Sequence, residues 1–459
     1  MVNRTILSFM LLIATANLSQ AQWPSAHANA ANTGFVNVDT TPASHPLRYA
    51  NVGRVADGAN PVIGANGTVY IGNVIGELFA FQPDGTLLWK RQLPSGFGTF
   101  YASPVIGSDG SIYVVSVFTV LNSDGTASVH SYSYLHKFSP GGAWLFWVQF
   151  PVENVLLPAW VHGGQTSAPP NIWHFNGAEV IMVPVWYRLF SNWELRLIAF
   201  STTLGVLAVQ PVTFVSADIT VTWDPPCFYF CKPDPPILHL HWPDPGVAIF
   251  EYQGSPFIWV ADGVRATVAY KFDLATGFFE VFRFADDHQR TSSPPVALDN
   301  VIAAVGTSDG VLKFERAGIS IGGFQEIGAA PTRLFDGRLV VVHQSGYSSV
   351  MSVVNGSTIT LQSQLDSNSF VSAAASCTHV FVATGKALTT FDAKTMLPVA
   401  RVPWNNGGIH SPVIGPKGHV YGMDRYGLYV FGPPAPTIGG GLLGSACAGH
   451  TVVSTGRTL

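Results

Sequence analysis

The sequence predicts an all-β protein built from repeated four-stranded units, and three observations support this fold class. PVIGANGTVY at Pro61 returns as PVIGSDGSIY at Pro104 and as PVIGPKGHVY at Pro412, with a tyrosine nine positions after each proline. Charged residues make up only 11% of the chain, whereas helices usually carry Glu and Lys on their solvent face. The 46 glycines and 32 prolines supply the turns that many short strands need.

The first unit shows how the four strands arise. PVIG is a short strand, ANG a turn, TVYIG and GELFAF the next two strands, PDG a second turn, and TLLWKRQL a fourth strand. A meander of about 40 residues has the size of one β-propeller blade. Weaker copies begin near Ala102, Ser167, Gly246, Ser293, Ala330, Ala373 and Ser411. Aromatic residues recur in the units and predict packing between blades: Tyr70, Phe79, Phe81, Trp89, Phe138, Trp144 and Trp147.

The two ends of the repeat array complement each other. The last copy, Ser411 to Gly432, stops after three strands, and HPLRYANVG at His45–Gly53 is a strand without a unit of its own. A free strand edge exposes unpaired backbone groups, so we expect this strand to complete the last blade. The sequence therefore predicts a single β-propeller of eight four-stranded blades. Seven blades is the alternative, because copies four, six and seven are degenerate.

Residues 1–21 have the three parts of a secretory signal peptide. Arg4 provides the positive charge, ILSFMLLIATA the apolar region, and Ser19–Ala21 a small-residue cleavage site. A buried first helix is the alternative interpretation. The apolar stretch is too short for a membrane span, so the mature chain from Gln22 is predicted to be a secreted monomer, extracellular or periplasmic. The net charge of −4 and the lack of a Lys/Arg run argue against nucleic acid as a partner.

An insertion and a tail accompany the propeller, which is predicted over residues 22–432. Residues 216–245, between the third and fourth copies, contain seven prolines, which are incompatible with a central strand or a helix. We expect a rigid extended loop there, and loops on a rigid scaffold often carry function. Residues 433–459 form a tail rich in small residues.

The four cysteines are an even set that is expected to pair in an oxidising compartment. Of the three connectivities that four cysteines allow, we favour Cys227–Cys231 with Cys377–Cys447, because the first two are only four residues apart. Two N-glycosylation sequons, at Asn66 and Asn355, lie in the mature chain.

Cys227 and Cys231 also belong to the chain's most suggestive metal-ligand pattern. His239 and His241 are two residues apart and would face the same way on an extended segment, which makes a Cys₂His₂ site conceivable. Exported cysteines usually pair instead. We therefore prefer a disulfide with ordinary surface histidines, and these four residues remain weak metal candidates.

The repeat resembles a known family. NGTVYIGNVIGELFAFQPDGTLLW, from Asn66, is similar to the blades of the PQQ-like (quinoprotein-like) β-propellers, which read Gly-x-Val-Tyr-x-Gly, then Leu-x-Ala-Phe, then Gly-x-Leu-x-Trp. QWPSAHANAANTGF resembles the Trp-Pro…Asn-Thr-Gly segment that often precedes the first blade in that family. The resemblance covers most of residues 22–432 and is strongest in copies one, two and eight. It implies either a dehydrogenase holding PQQ and calcium at the ring axis or a non-catalytic scaffold that binds protein.

The residue types in this sequence favour the non-catalytic scaffold over the dehydrogenase. An alcohol-dehydrogenase-type quinoprotein would need an adjacent Cys-Cys pair, acidic and amide calcium ligands and an aspartate base, and the sequence has no Cys-Cys dipeptide. SACAGH, at Ser445–His450, lacks the second cysteine of a c-type haem motif. Asp109, Asp309 and Asp336 each precede a glycine, which predicts turns rather than ligands.

We therefore expect a secreted, non-catalytic PQQ-like propeller with no cofactor and no assigned catalytic residue. It would present one face of the ring and the 216–245 loop to a protein or glycan partner. A divergent quinoprotein oxidoreductase using PQQ and calcium is one alternative. A metal-binding exported protein is the other.

Overall fold

A computed structural model of the chain confirms an all-β propeller. The structure describes residues 25–432 except 30–31, 119–131, 151–165, 167, 176–177, 190–191, 216–245, 253–254, 262–265, 286–293, 300–301, 307–310, 315–316, 321–328, 346–347, 356–357, 368–370 and 408–409. The regular elements in these ranges are all β-strands. In the same ranges no helix is long and apolar enough to cross a membrane.

The strands form eight antiparallel sheets, which we number as blades 1–8 in chain order. The strands of each blade are given from the innermost outwards. Blade 1 consists of Val62–Ile63, Val69–Gly72, Glu77–Phe81 and Leu87–Gln92, and blade 2 of Val105–Ile106, Ile112–Phe118, Tyr132–Phe138 and Trp144–Gln149. Blade 3 consists of Asn171–Phe175, Ala178–Leu189, Asn192–Ser201 and Val206–Val215, and blade 4 of Gly246–Tyr252, Ser255–Ala261, Ala266–Asp273 and Gly277–Ala285.

Blades 5–8 continue the same order around the ring. Blade 5 consists of Val296–Asp299, Ile302–Gly306, Val311–Phe314 and Ala317–Ser320, and blade 6 of Thr332–Arg333, Leu339–Ser345, Ser348–Asn355 and Thr358–Gln364. Blade 7 consists of Ala374–Ala375, His379–Ala383, Ala387–Asp392 and Pro398–Pro403, and blade 8 of Val413–Ile414, Val420–Met423, Gly427–Phe431 and Arg48–Asn51.

Blade 8 closes the ring in the way that the sequence predicts. Its outermost strand, Arg48–Asn51 (the closing strand), pairs antiparallel with Gly427–Phe431. Across this pairing the rings of Tyr49 and Tyr429 lie 4.8 Å apart and meet edge to face. The first and last parts of the repeat array are therefore hydrogen-bonded into one sheet, and the blade count is eight.

Neighbouring blades share buried apolar cores, because a single blade has two apolar faces to cover. Tyr70 and Leu78 of blade 1 belong to one buried cluster with Ile112 and Phe138 of blade 2. Phe79, on the opposite face of blade 1, belongs to the cluster that contains blades 7 and 8. The predicted packing role of Tyr70, Phe79 and Phe138 is confirmed.

The recurring proline, glycine and tyrosine of the PVIG unit have a common structural explanation. The glycine of the motif lies under the ring of the tyrosine: a methyl group on Gly415 would lie 3.1 Å from the Tyr421 ring, and one on Gly107 would lie 3.3 Å from the Tyr113 ring. A side chain at either glycine would push against a buried ring. The spacing therefore preserves a ring-on-backbone contact within each blade.

Two of these tyrosines also join neighbouring blades. The Tyr421 hydroxyl donates to Pro83 O of blade 1 at 2.9 Å, and the Tyr113 hydroxyl donates to Thr202 O of blade 3 at 3.4 Å. Burial raises the pKa of both phenols above the usual value. Each hydroxyl therefore keeps the proton that it donates.

Blade 2 contains one strand that the repeat does not predict. Thr99–Phe100 pairs with Ser116 and Val117, at the end of the second strand of the blade. That second strand has seven residues, whereas the innermost strand Val105–Ile106 has only two. The short innermost strand leaves part of its neighbour's edge unpaired, and the preceding segment covers it.

The closing strand provides a test of ring closure. A methyl group on Gly427 would lie 2.2–2.4 Å from atoms of the Tyr49 ring, so Gly427→Ala should lower the free energy of unfolding by about 1–3 kcal/mol through overpacking. Denaturant unfolding of both single variants and the double variant with Tyr49→Ala measures the coupling. The double variant should lose less stability than the sum of the single variants. Strict additivity would contradict the contact.

Candidate functional site

A chain of hydrogen bonds joins the innermost strands at the ring axis. Ser411 N donates to Asn60 Oδ1 at 2.7 Å, linking blade 8 to blade 1. Asn60 N donates to Ser103 Oγ of blade 2 at 2.7 Å, and Ser372 N of blade 7 donates to Ser411 Oγ at 3.0 Å. All four residues are buried. In blades 8, 1 and 2, one small polar side chain therefore accepts a hydrogen bond from a backbone N–H of the preceding blade.

Sequence reasoning did not find these axial residues, although a signal for them exists. Asn60, Ser103 and Ser411 each stand directly before the proline of a PVIG copy. The repeat thus includes a small hydrogen-bonding residue one position earlier than the motif that we recognised.

The chain itself enters the axis. Asn32–Thr40, the channel segment, runs parallel to the innermost strand of blade 7, with a parallel bridge between Phe35 and Ala375. An innermost strand has its free edge toward the central channel of a propeller. The bonds alternate as in a parallel ladder and are Ala375 N to Gly34 O (2.8 Å), Val36 N to Ala375 O (2.9 Å) and Cys377 N to Val38 O (2.9 Å).

Asn32 anchors the first end of the channel segment between blades 4 and 5. Its Nδ2 donates to Val247 O at 2.8 Å and to Pro295 O at 3.0 Å. Its backbone has a φ of +56°, a conformation that asparagine tolerates better than most residues. Asparagine therefore supplies both the backbone geometry and the two donor hydrogens.

Gly34 brings the segment against blades 6 and 7. Its φ is +63°, and a methyl group there would lie 3.0 Å from two Thr332 side-chain atoms and 3.2 Å from Ala373 O. Both the left-handed conformation and the close approach of the backbone favour glycine.

Thr40 holds the other end of the segment on blade 7. Its backbone N donates to Thr378 Oγ1 at 3.0 Å. Its hydroxyl lies 2.8 Å from Ser376 Oγ and 3.1 Å from His379 Nδ1. Burial lowers the pKa of His379, which favours the neutral ring in this cluster.

The family resemblance would place a PQQ and calcium pair at the ring axis, which such a pair would share with the channel segment. The channel segment lies along the axis and is hydrogen-bonded to blades 4, 5, 6 and 7. Its partners are backbone groups and neutral hydroxyl, amide and imidazole side chains. Within the described ranges, no group of three or more His, Cys, Asp or Glu could hold a metal ion.

The outer surface of the ring carries exposed apolar side chains. Ten apolar side chains on the fourth strands of blades 1–4, the apolar rim, are between 41% and 70% exposed. They are Leu87, Leu88, Leu145, Phe146, Trp147, Val206, Leu207, Val209, Phe279 and Val281. Ten such side chains on the outer strands of four consecutive blades exceed the single exposed apolar residues that are normal at a protein surface.

Strand length explains the most exposed member of the apolar rim. Phe278 packs on the blade 3 side of its strand, so Phe279, 70% exposed, points toward blade 5. Its own strand has nine residues, whereas the strands of blade 5 have four or five. The outer part of blade 4 therefore extends past its neighbour.

Trp147 belongs to the apolar rim rather than to the interior, which corrects the predicted packing of this residue between blades. Its ring lies 4.9 Å from that of Phe97 and 5.7 Å from that of Tyr134, both at edge-to-face angles. The side chain is 48% exposed. It lies on the outermost strand, where the wedge between blades 1 and 2 is widest.

His136 lies beneath this aromatic group in a complete hydrogen-bond chain. Trp144 Nε1 donates to His136 Nδ1 at 3.3 Å, His136 Nε2 lies 2.7 Å from Ser116 Oγ, and Ser116 Oγ donates to Phe97 O at 2.5 Å. The neutral ring protonated on Nε2 satisfies every bond. Burial lowers the pKa of His136 to about 3, so this histidine is structural at neutral pH.

The structure brings few of the sequence-derived site residues together. Cys227, Cys231, His239, His241 and Cys447 lie outside the described residues. Cys377 is disulfide-bonded, and its pairing with Cys447 stays a prediction.

The remaining sequence-derived candidates occupy turns and exposed positions. Asn66 and Asn355 are exposed, and their glycosylation stays a prediction. Asp109 and Asp336 accept backbone N–H groups two residues ahead, which confirms their turn role, whereas Asp309 lies outside the described residues.

The comparisons with known proteins support the fold. No protein-family model matches the chain, and no curated protein matches it by sequence. Sqt1 of Saccharomyces cerevisiae is similar in structure with a TM-score of 0.54 at 10% identity, covering 86% of this chain and 100% of Sqt1. At such low identity this similarity shows the fold alone.

Two further structures align with lower scores. A europium-containing methanol dehydrogenase has a TM-score of 0.46 at 12% identity, covering 87% of this chain and 89% of its own. The Dos1 propeller has a TM-score of 0.40 at 10% identity, covering 79% of this chain and 75% of its own. Neither carries an argument about function.

Substitution of Asn32 tests the anchor of the channel segment. Asn32→Asp keeps the size of the side chain but replaces its two donor hydrogens by a carboxylate that faces Val247 O and Pro295 O. We expect Asn32→Ala to cost about 1–3 kcal/mol of unfolding free energy, and Asn32→Asp to cost more because a buried charge is added. Urea unfolding at neutral pH measures both. Wild-type stability in the aspartate variant would contradict the contact.

His136 gives a pH prediction. Its folded pKa of about 3 lies below the unfolded value of about 6.5, so the unfolded state binds more protons between these values. The free energy of unfolding should fall as pH decreases through this window, by up to about 1.4 kcal/mol per pH unit from this residue. The free energy of unfolding of His136→Gln should therefore be furthest below that of wild type near neutral pH. This difference should decrease toward about pH 4. A constant deficit across this range would contradict the assignment.

Proposed function

We propose that this chain is a secreted, non-catalytic PQQ-like propeller scaffold that binds a protein partner through its outer surface. The observation that carries the proposal is the apolar rim, ten exposed apolar side chains on four consecutive blades. Scattered exposed apolar residues are normal, whereas a continuous set is typical of a docking surface.

A polypeptide is the partner that suits this surface best. The fourth strand of each blade has one edge that pairs with no strand of the same sheet. Such an edge can accept an additional strand from a partner, with backbone bonds giving affinity and alternating side chains giving specificity. Aliphatic side chains predominate in the apolar rim, and this favours a protein over a glycan.

The axis supports a scaffold role over catalysis. What supports this is the channel segment, which is hydrogen-bonded along the innermost strands of blades 4–7 near the axis where the resemblance would place a quinone cofactor. The quinoprotein alternative has no cluster of three or more His, Cys, Asp or Glu in the described part of the chain to support it. The metal-binding alternative depends on Cys227, Cys231, His239 and His241, which lie outside the described residues.

Matched variants test this proposal. The rim variant replaces Leu87, Phe146 and Phe279 by serine, and the control variant replaces Ile75 and Leu397, which are 54% and 60% exposed but lie outside the apolar rim. A partner captured by the wild-type protein from the secreted fraction is identified and then titrated by calorimetry. We expect the rim variant to bind at least about tenfold more weakly and the control variant to bind as wild type.

Two outcomes would contradict the proposal. One is equal binding of the partner by the rim and control variants. The other is binding confined to a glycan array, with no protein partner, which would transfer the role to carbohydrate recognition.

A further inference from the structure

The channel segment contacts the ring as a bound extended peptide contacts a sheet edge. Three of its backbone bonds form a parallel ladder with blade 7, and a fourth joins Arg333 N of blade 6 to Thr33 O at 2.8 Å. Strand addition of this kind is a common mode of peptide recognition. Backbone groups of four blades therefore bind the segment, and Val36 and Val38 add apolar contacts in the buried cluster of blades 7, 8 and 1.

Specificity comes from two residues near the start of the segment. The Asn32 amide reaches carbonyls of two different blades. Gly34 has a left-handed backbone and lies against Thr332 without room for a side chain. Val36 and Val38 then alternate along the ladder and are both buried. An extended Asn-x-Gly segment followed by alternating apolar residues is the chemistry that this channel selects.

The segment is connected to the ring through a weakly held stretch. Thr41–Leu47, the hinge, is mostly exposed. Its described bonds to the ring are Ala43 N to Thr390 Oγ1 at 3.2 Å and Leu47 N to Val430 O at 2.7 Å. The closing strand begins directly after the hinge. In the sequence, the hinge therefore separates the channel segment from the closing strand and the eight blades.

We propose that the channel is a peptide-binding site that is occupied in cis, and that it binds the same extended Asn-x-Gly segment in trans once the covalent connection is cut. This site is independent of the apolar rim and of any partner bound there. The proposal adds a ligand class to the protein: an extended peptide of this chain's own sequence, or one of the same pattern.

The experiment uses the full-length protein with a specific protease site in place of the exposed residues Ser44, His45 and Pro46. After cleavage, a fluorescent peptide of residues 32–43 (NTGFVNVDTTPA) is added, and its binding is followed by anisotropy. The matched control peptide carries Asn32→Asp and Gly34→Val. Thermal unfolding of the cleaved protein is measured in parallel to monitor the ring.

We expect the native peptide to exchange into the cleaved protein and to bind at least about tenfold more tightly than the control peptide. Uncleaved protein should bind neither peptide, because its channel is filled. Equal binding of the two peptides, or no binding while the cleaved ring still unfolds cooperatively, would overturn the proposal. Loss of the folded ring on cleavage would overturn it as well, since the segment would then be part of the core rather than a ligand. None of these outcomes depends on the apolar rim, so the two proposals fail separately.

Discussion

Ring closure is the constraint on which the rest of this structure depends. A four-stranded blade has two apolar faces and can cover them only between two neighbours. The pairing of Arg48–Asn51 with Gly427–Phe431 completes blade 8, the last blade of the ring. Blade 8 in turn packs against blade 1, and both contribute to one continuous buried cluster. Every other feature, including the channel and the outer surface, exists because the blades are held in a circle.

Hydrogen bonds from small polar side chains join neighbouring blades in the interior of the ring. Asn60, Ser103 and Ser411 relay hydrogen bonds from blade to blade, and Asn32 joins blades 4 and 5. Buried backbone groups require partners, and innermost strands of only two residues, as in blades 1, 2, 7 and 8, cannot satisfy all of them. Small polar side chains and the channel segment provide those partners. A core of this kind specifies a unique arrangement of blades, since each bond joins particular neighbours.

The inside and the outside of the ring therefore differ in what they offer to other molecules. Along the innermost strands of blades 4–7, the described hydrogen-bond partners of the channel segment are backbone groups and neutral side chains. The outer strands, where adjacent blades diverge, leave aliphatic and aromatic side chains exposed on blades 1–4. Similarity to a solved structure at 10% identity shows only the fold, and one fold serves many functions. The argument for binding at the outer surface comes from these exposed side chains alone.

The sequence by itself determined the blade unit and the strand that completes the last blade, and it favoured eight blades over seven. Period-two alternation and glycine turns act over a few residues, so a local pattern is sufficient to specify them. Only the tertiary structure decided that Asn32 reaches Val247, 215 positions away, and that Trp147 lies at the surface rather than between blades. Asn60, Ser103 and Ser411 are part of the repeat that is visible in the sequence. Their hydrogen-bonding role is not visible there, because ring closure decides which backbone groups come near them. Contacts between distant parts of a chain follow from the closed geometry, which no local pattern encodes.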